Sequence, residues 1–201
     1  MNAPFRICFV CTGNICRSPM AESVLRARLA EDGLDGRVEV DSAGTGGWHE
    51  GDGADPRTVA VLRAGGYETA HTARQFHASW FDHLDLVIAL DSGHLRELRS
   101  LAPTAQDTAK IRLLRSYAAD TADTGPTSRP RRASGHGLAG DLDVPDPYYG
   151  DFAGFEECLA MVETASDGLL AAVRATVAAL AHDTDRHQAR NPHPPREKES
   201  A

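Results

Sequence analysis

Apolar residues along the chain form short continuous runs that alternate with longer stretches of mixed polarity. The runs predict strands near 5–10, 37–41, 84–90 and 111–114. The mixed stretches predict helices near 18–34, 56–64, 92–101 and 153–181. Buried strands that alternate with helices are typical of a parallel sheet covered on both faces. The sequence therefore predicts an α/β fold in three layers, with a four-stranded parallel sheet whose central strands include 84–90.

The segment that joins the first predicted strand to the first predicted helix, Val10–Ser18, reads VCTGNICRS. It lies at a helix N-terminus, where unpaired N–H groups and the helix dipole attract an anion and favour the thiolate form of Cys11. Arg17 can donate two parallel hydrogen bonds to phosphoryl oxygens. Gly13 and Asn14 tolerate the left-handed backbone of a loop that curls around an anion. The segment predicts a phosphate-binding loop with a sulfur nucleophile, after the first strand. Its phosphate-binding positions are Thr12, Gly13, Asn14, Ile15, Cys16 and Arg17.

A second motif, Asp146–Asp151, reads DPYYGD. An aspartic acid on a loop stiffened by proline can protonate the leaving oxygen of a phosphate ester, and the neighbouring tyrosines can line a cleft. The alternative is a surface turn, for which Asp-Pro with a nearby glycine is ordinary chemistry. Together with the Cys11 loop, the motif favours an acid role for Asp146.

Charge and cysteine content exclude several classes of function. A net charge of −8 over 201 residues disfavours bulk binding to nucleic acid. Four cysteines lack the spacing of a zinc site and the density of a disulfide scaffold, so we expect no metal. We find no apolar run of membrane-spanning length and no secretion signal, and we expect a cytoplasmic protein without membrane contacts.

At this point the sequence resembles the low-molecular-weight protein tyrosine phosphatase family of bacterial type. The resemblance rests on Val10–Ser18 and Asp146–Tyr149, and it covers most of residues 5–181. It extends to Val40–Thr45, Trp48, His71–Gln75, Leu90 and Asp91. It implies hydrolysis of phosphotyrosine in protein substrates, with no cofactor, by a protein that we expect to be monomeric.

The resemblance also implies a two-step mechanism. Cys11 attacks phosphorus while Arg17 and the loop N–H groups hold the oxygens, and Asp146 protonates the phenolic leaving group. A phosphocysteine results, and Asp146 then acts as the base for the water that hydrolyses it.

Supporting roles follow from the same resemblance. Ser18 would donate a hydrogen bond to the Cys11 thiolate, and Asn14, bonded to Ser18 and His71, would hold the loop open. The aromatic cleft would consist of Trp48, Tyr148 and Tyr149. Taken without the resemblance, the sequence favours a solvated or hydrogen-bonded histidine at His71 and a partly buried core aromatic at Trp48.

Cys16 leaves two interpretations open. In the family its counterpart can form a reversible disulfide with the nucleophile, which would act as a redox brake. The other interpretation is a small apolar residue that fills space.

Three other functions use the same features. Protein-arginine phosphatases resemble this sequence but carry threonine in place of Ile15 and lack the paired tyrosines. Arsenate reduction would need further cysteines, but residues 76–100 contain none and Cys158 lies in a predicted helix. A non-catalytic phosphotyrosine-binding module would require the loss of Cys11 or Asp146, and both are present.

The sequence predicts one catalytic domain over residues 1–181. Within it, residues 118–144 are rich in Ala, Asp, Thr, Gly, Pro and Ser, which indicates a flexible insert. The charged, proline-containing segment 182–201 predicts a disordered tail.

Overall fold

A computed structural model of the chain describes residues 3–118 and 142–190. The strands are β1 (Phe5–Cys11), β2 (Val38–Gly44), β3 (Leu86–Ala89) and β4 (Ile111–Leu113). The helices are α1 (Arg17–Glu31), α2 (Pro56–Ala64), α3 (Ser92–Leu101), α4 (Ala105–Ala109) and α5 (Phe152–Arg190). Short 3₁₀ helices span Ala78–Asp82 and Leu114–Ser116.

The strands form one parallel sheet in the order β2-β1-β3-β4. This confirms the predicted fold class and the central position of the third strand. Cys11, the last residue of β1, pairs with Gly44 of β2, while Val10 pairs with Ala89 of β3. In open α/β sheets ligands bind outside the carboxyl ends of the strands at the point where the strand order reverses, which here lies between β1 and β3. The topology therefore directs attention to the end of β1.

Alternating side chains of β1 build the core on both faces of the sheet. Ile7, Phe9 and Cys11 belong to one hydrophobic cluster, to which α1, α2 and α5 contribute. Cys8 and Val10 belong to the other, with α3 and the first 3₁₀ helix. This alternation follows from the two-residue period of a strand. It places the Cys11 side chain on the face that α1 covers.

Several predicted boundaries differ from the structure. The first helix ends at Glu31 rather than near 34, and the third strand is shorter than the apolar run 84–90. The sequence analysis missed α4, a five-residue helix whose N-cap, Thr104, accepts a hydrogen bond from Asp107 N–H. An element this short leaves no hydrophobic period to recognise.

The last helix also continues further than predicted. It ends at Arg190 rather than near 181, so residues 182–190 of the predicted disordered tail are helical. The remaining tail residues, 191–201, and most of the predicted insert, 119–141, lie outside the described residues.

The segment Phe152–His182 of α5 is long and apolar enough to meet a length and composition test for a membrane span. This corrects the expectation that no apolar run reaches that length. A core helix can meet the same test, and one third of its most apolar stretch is buried within the protein. Phe155, Val162 and Leu169 are fully buried and join the cluster that contains Cys11. These contacts favour a core helix.

Candidate active site

The loop after β1 turns through one residue of left-handed backbone. Asn14 has φ 56° and is fully buried. Its Nδ2 donates to Ser18 Oγ at 2.9 Å and to Ser42 Oγ at 2.8 Å, and its Oδ1 accepts from Arg74 N–H at 3.0 Å. Nε2 of His71 lies 2.6 Å from the Asn14 carbonyl oxygen, to which it donates. The structure thus brings Asn14, Ser18 and His71 together, and their bonds offset the backbone strain at Asn14.

The Cys11 sulfur lies beneath this loop. Its Sγ is 3.0 Å from Ser18 Oγ. Asn14 donates to that oxygen, and the Ser18 hydroxyl has two acceptors within reach of its own hydrogen, the Cys11 sulfur and the Ala43 carbonyl oxygen at 3.3 Å. Gly44 lies so close to the loop that a Cβ there would stand 2.7 Å from the Thr12 carbonyl oxygen. Only glycine fits where β2 passes the loop.

The N-terminus of α1 faces the same loop. Among the described residues, no side chain caps the helix at its N-cap, Cys16. The N–H groups of the first turn and the positive end of the dipole therefore remain free to attract an anion. The Cys16 side chain is buried; burial raises its pKa to about 12, and the nearby Asp55 contributes. Its thiol is thus neutral near pH 7.

The buried Arg17 guanidinium contacts both acidic residues of the site. Nη1 donates to Asp91 Oδ2 at 2.8 Å and to the Val144 carbonyl oxygen at 3.1 Å, while Nη2 donates to Asp146 Oδ2 at 2.8 Å. Burial by itself lowers the pKa of Arg17, but Cys11, Asp146 and Asp91 outweigh it and raise the pKa above its usual value. Arg17 is therefore a fixed cation at the edge of the loop.

Asp91 connects Arg17 to the start of α3. As the N-cap it accepts from His94 N–H at 2.8 Å, and its Oδ1 lies 3.0 Å from His94 Nδ1. Burial raises the pKa of Asp91, but its contacts with His94 and Arg17 outweigh burial and hold the pKa well below its usual value. Nε2 of His94 in turn lies 2.8 Å from Thr12 Oγ1. The sequence analysis did not select His94, because a single histidine in a helix carries no recognisable pattern.

Hydrogen bonds hold the segment that carries Asp146 to the residue after β3 and to the first residue of α3. Asp143 accepts from Ser92 N–H at 2.8 Å and from the Ser92 hydroxyl at 3.0 Å. One residue later, the fully buried Val144 donates its N–H to the Leu90 carbonyl oxygen at 2.8 Å. These bonds fix the chain just before Asp146.

The segment that follows Asp146 forms the turn that its sequence allows, while the acid itself faces the loop. Asp146 Oδ1 accepts from Tyr148 N–H at 3.2 Å. The rings of Tyr148 and Tyr149 meet edge to face with centroids 4.9 Å apart. From α2, Arg57 donates to the Tyr148 carbonyl oxygen at 3.1 Å, and its guanidinium lies 4.3 Å from the centroid of the Phe155 ring. Asp146 can therefore belong to a surface turn and still place its carboxyl group at the loop.

These groups line one cavity of about 390 Å³. Its walls are Cys11, Thr12, Gly13, Ile15, Cys16, Arg17, Trp48, His49, Asp146, Tyr148 and Tyr149. Trp48 is 77% exposed and Tyr149 is 93% exposed, so neither is a core aromatic. Of the predicted site residues, Asn14, Ser18 and His71 are not part of these walls; Asn14 bonds to both Ser18 and His71 within and around the loop. His49 was missed, since only its position next to Trp48 could have indicated it.

The described residues include no cluster of three His, Cys, Asp or Glu side chains suited to a metal ion. The chemistry that the cavity can supply is that of a sulfur nucleophile, a fixed cation, free helix N–H groups and a half-exposed carboxyl group. This set suits transfer of a phosphoryl group to sulfur.

Comparison with known proteins identifies the family that the sequence resembles. The family model for low molecular weight phosphotyrosine protein phosphatase matches residues 6–130 and 131–179. A low molecular weight protein-tyrosine-phosphatase from Streptomyces coelicolor is 65% identical over 173 residues, which cover 86% of this chain and 96% of that protein.

Two solved structures share the fold. A protein tyrosine phosphatase from Entamoeba histolytica aligns with a TM-score of 0.72 and 30% identity, over 86% of this chain and 98% of that one. A Drosophila arginine phosphatase aligns with a TM-score of 0.69 and 29% identity, over 83% of this chain and 96% of that one. The fold alone therefore does not separate phosphotyrosine from phosphoarginine.

Proposed function

Because the chain belongs to the low molecular weight phosphotyrosine protein phosphatase family, a family of hydrolases, we propose that it hydrolyses phosphotyrosine in proteins through a phosphocysteine intermediate. One observation carries this proposal: Cys11, Arg17 and Asp146 line a single cavity. The cavity lies at the N-terminus of α1, where the free N–H groups favour the oxyanion.

In the first step Cys11 Sγ attacks phosphorus, and the bond between phosphorus and the phenolic oxygen breaks. Arg17 and the loop N–H groups hold the three remaining phosphoryl oxygens. Asp146 transfers its proton to the leaving phenolic oxygen, so tyrosine departs as a neutral phenol. Ser18, 3.0 Å from the sulfur, stabilises the thiolate before it attacks.

In the second step a water molecule attacks the phosphocysteine. Asp146, now a carboxylate, accepts a proton from the water, and the bond between phosphorus and sulfur breaks. Inorganic phosphate leaves, and the returning Cys11 thiolate is again stabilised by Ser18 and the helix N-terminus.

Aromatic side chains favour a phenolic leaving group over a guanidinium. Trp48 and Tyr149 stand exposed on the walls of the cavity, where a phenyl ring can pack between flat surfaces. Ile15, which the arginine phosphatases replace with threonine, also lines the cavity and offers it no hydroxyl group. Both features support phosphotyrosine as the substrate.

The proposal is tested by steady-state hydrolysis of matched phosphotyrosine, phosphoserine and phosphoarginine peptides. We expect turnover of the phosphotyrosine peptide alone. Rapid acid quench with a ³²P-labelled substrate should trap label on wild-type Cys11 and none on Cys11→Ser. Selective turnover of phosphoarginine would overturn the substrate assignment, and full activity of Cys11→Ser would overturn the mechanism.

We also propose that residues 1–181 form the catalytic domain and that the enzyme works as a monomer in the cytoplasm, without metal, membrane or nucleic acid. All four cysteines are free in the structure, and a thiol nucleophile requires a reducing compartment. The family resemblance supports the rest.

A further inference from the structure

A turn over residues 147–150 carries the two tyrosines of the cavity. The Gly150 N–H donates to the Pro147 carbonyl oxygen at 2.9 Å, so Tyr148 and Tyr149 are the two central residues of the turn. Tyr149 is 93% exposed, and packing in the core therefore does not fix its ring. The position of the ring depends instead on the backbone of the turn and on the edge-to-face contact with Tyr148.

Arg57 of α2 binds the backbone on both sides of Tyr149. Its Nη1 donates to the Gly150 carbonyl oxygen at 3.3 Å, and its Nη2 donates to the Tyr148 carbonyl oxygen at 3.1 Å. The guanidinium also lies 5.7 Å from the centroid of the Tyr148 ring. One side chain thus contacts both of the features on which the position of Tyr149 depends.

Arg57 is itself held by Asp55, the N-cap of α2. Its Nε and Nη2 donate to the two carboxylate oxygens of Asp55 at 3.0 and 2.9 Å, which makes the ion pair bidentate. The Asp55 backbone N–H donates to the carbonyl oxygen of Ile15, in the phosphate-binding loop, at 2.9 Å. Successive hydrogen bonds therefore connect the loop, through Asp55 and Arg57, to the turn that carries Tyr149.

The shape of the guanidinium suits this arrangement. It is planar and carries five donors in fixed directions, so it can bind a carboxylate and two carbonyl oxygens while its face lies near a ring. In Arg57 that ring is the fully buried Phe155, whose centroid is 4.3 Å away. A lysine ammonium presents three donors from a single nitrogen and cannot contact all of these groups at once.

We propose that Arg57 is a positioning residue that fixes the Tyr149 ring relative to the phosphate-binding loop and so sets the space for the aryl group of the substrate. The inference rests on the proposed function and extends it to a residue outside the cavity walls. Arg57 does not line the cavity, and it acts on the aryl group through Tyr149.

The test compares two inhibitors of p-nitrophenyl phosphate hydrolysis by the full chain. Benzylphosphonate carries a ring that can reach the tyrosine wall, whereas inorganic phosphate occupies the loop alone. We expect Arg57→Lys to raise the inhibition constant of benzylphosphonate by about 3- to 10-fold, the range for loss of one aromatic contact. The constant for phosphate should stay within about 2-fold of wild type. Because an inhibition constant does not depend on how much enzyme is folded, a loss of stability alone changes neither value.

Tyr149→Ala tests whether Arg57 acts through this ring. It should weaken inhibition by benzylphosphonate by a similar factor, and Arg57→Lys should add nothing further in the Tyr149→Ala background. Arg174→Lys is the matched control, because Arg174 forms a bidentate ion pair with Asp32 at the opposite end of α1 from the loop. It should leave both inhibition constants unchanged.

Asp55→Asn perturbs Arg57 without replacing it. Asparagine can still cap α2, but its amide offers Arg57 one acceptor oxygen instead of two. We expect a smaller rise in the benzylphosphonate constant and an unchanged phosphate constant. If Arg57→Lys does not fold, Asp55→Asn and Tyr149→Ala decide the proposal.

Four results would count against the inference. Equal rises of both constants in Arg57→Lys would show that Arg57 supports the loop and not the ring. An unchanged benzylphosphonate constant in Arg57→Lys or Tyr149→Ala would overturn the positioning role. Losses that add in the double variant would overturn the action through Tyr149. Wild-type enzyme that does not hydrolyse p-nitrophenyl phosphate would overturn the proposed function itself, and with it this role.

Discussion

Asp146 Oδ2 lies 2.8 Å from Arg17 Nη2, so the proposed acid forms an ion pair with the proposed phosphate-binding residue. The two side chains differ in exposure to solvent: that of Arg17 is 4% exposed and that of Asp146 is 42% exposed. A phosphoryl dianion is a stronger partner for Arg17 than one carboxylate. Binding of substrate would therefore separate Asp146 from Arg17.

The first prediction concerns this acid. Asp146→Asn should lower kcat by about 10²- to 10⁴-fold with phenyl phosphate, because the leaving oxygen loses its proton donor. The loss should be much smaller with an ester of an acidic phenol, whose oxygen leaves without a proton. Steady-state kinetics with a series of aryl phosphates measures both, and equal losses across the series would indicate a purely structural role.

The second prediction concerns the anchor that precedes the acid. Asp143→Asn removes the carboxylate that binds both groups of Ser92, and the resulting shift of Asp146 should lower kcat for phenyl phosphate by about 10-fold. Ser92→Ala removes only the hydroxyl bond and should give a smaller loss in the same direction. Activity with an acidic phenol ester should change little in either variant. A uniform loss on both substrates would argue against control of the acid.

The third prediction concerns stability in acid. Because contacts with His94 and Arg17 hold the pKa of Asp91 below its unfolded value, the stability it contributes is present above about pH 4 and is lost as the pH falls further. Asp91→Asn should lower the free energy of unfolding by about 1–3 kcal/mol at pH 7. That difference should shrink below pH 4 in urea titrations.

Asp167→Asn is the control for this measurement, since it breaks an exposed ion pair with Arg28. Exposed pairs contribute little to stability, so we expect a small effect at pH 7. An Asp91→Asn difference that grows as the pH falls would contradict the assigned direction of the pKa shift.

The fourth prediction separates the two roles of Asn14. Asn14→Gly keeps the positive φ accessible but removes the side-chain bonds to Ser18, Ser42 and Arg74. Asn14→Ala removes the same bonds and adds backbone strain of about 1 kcal/mol. Both variants should bind phosphate more weakly, and the alanine variant should unfold at the lower urea concentration. Equal stability of the two variants would show that the φ value carries no cost.

Much of the site could be predicted because its residues lie close together in sequence. Cys11, Arg17 and Ser18 share one strand-to-helix connection, whose geometry follows from the elements on either side of it. Asp146 joined them only when its motif was paired with the Cys11 loop, and the family resemblance then supported the role, because nothing local to its turn indicates a contact across more than a hundred residues.

Residues that act through tertiary contacts remained hidden for the same reason. His94 contacts Thr12 from α3, and Asp143 binds Ser92 just before the chain reaches Asp146; an isolated histidine or aspartate has no periodic signal. The end of α5 was placed too early because polar residues after 181 resemble a tail in composition. A helix already nucleated on a buried face can extend through such residues.

The anchor at Asp143 and Val144 has a consequence for how this enzyme can change. Asp143 and Val144 bind Ser92 and Leu90, and the chain reaches Asp146 two residues later. The bonds that precede the acid therefore come from the residue after β3 and the first residue of α3. A substitution in either of these elements can alter proton transfer without touching the cavity.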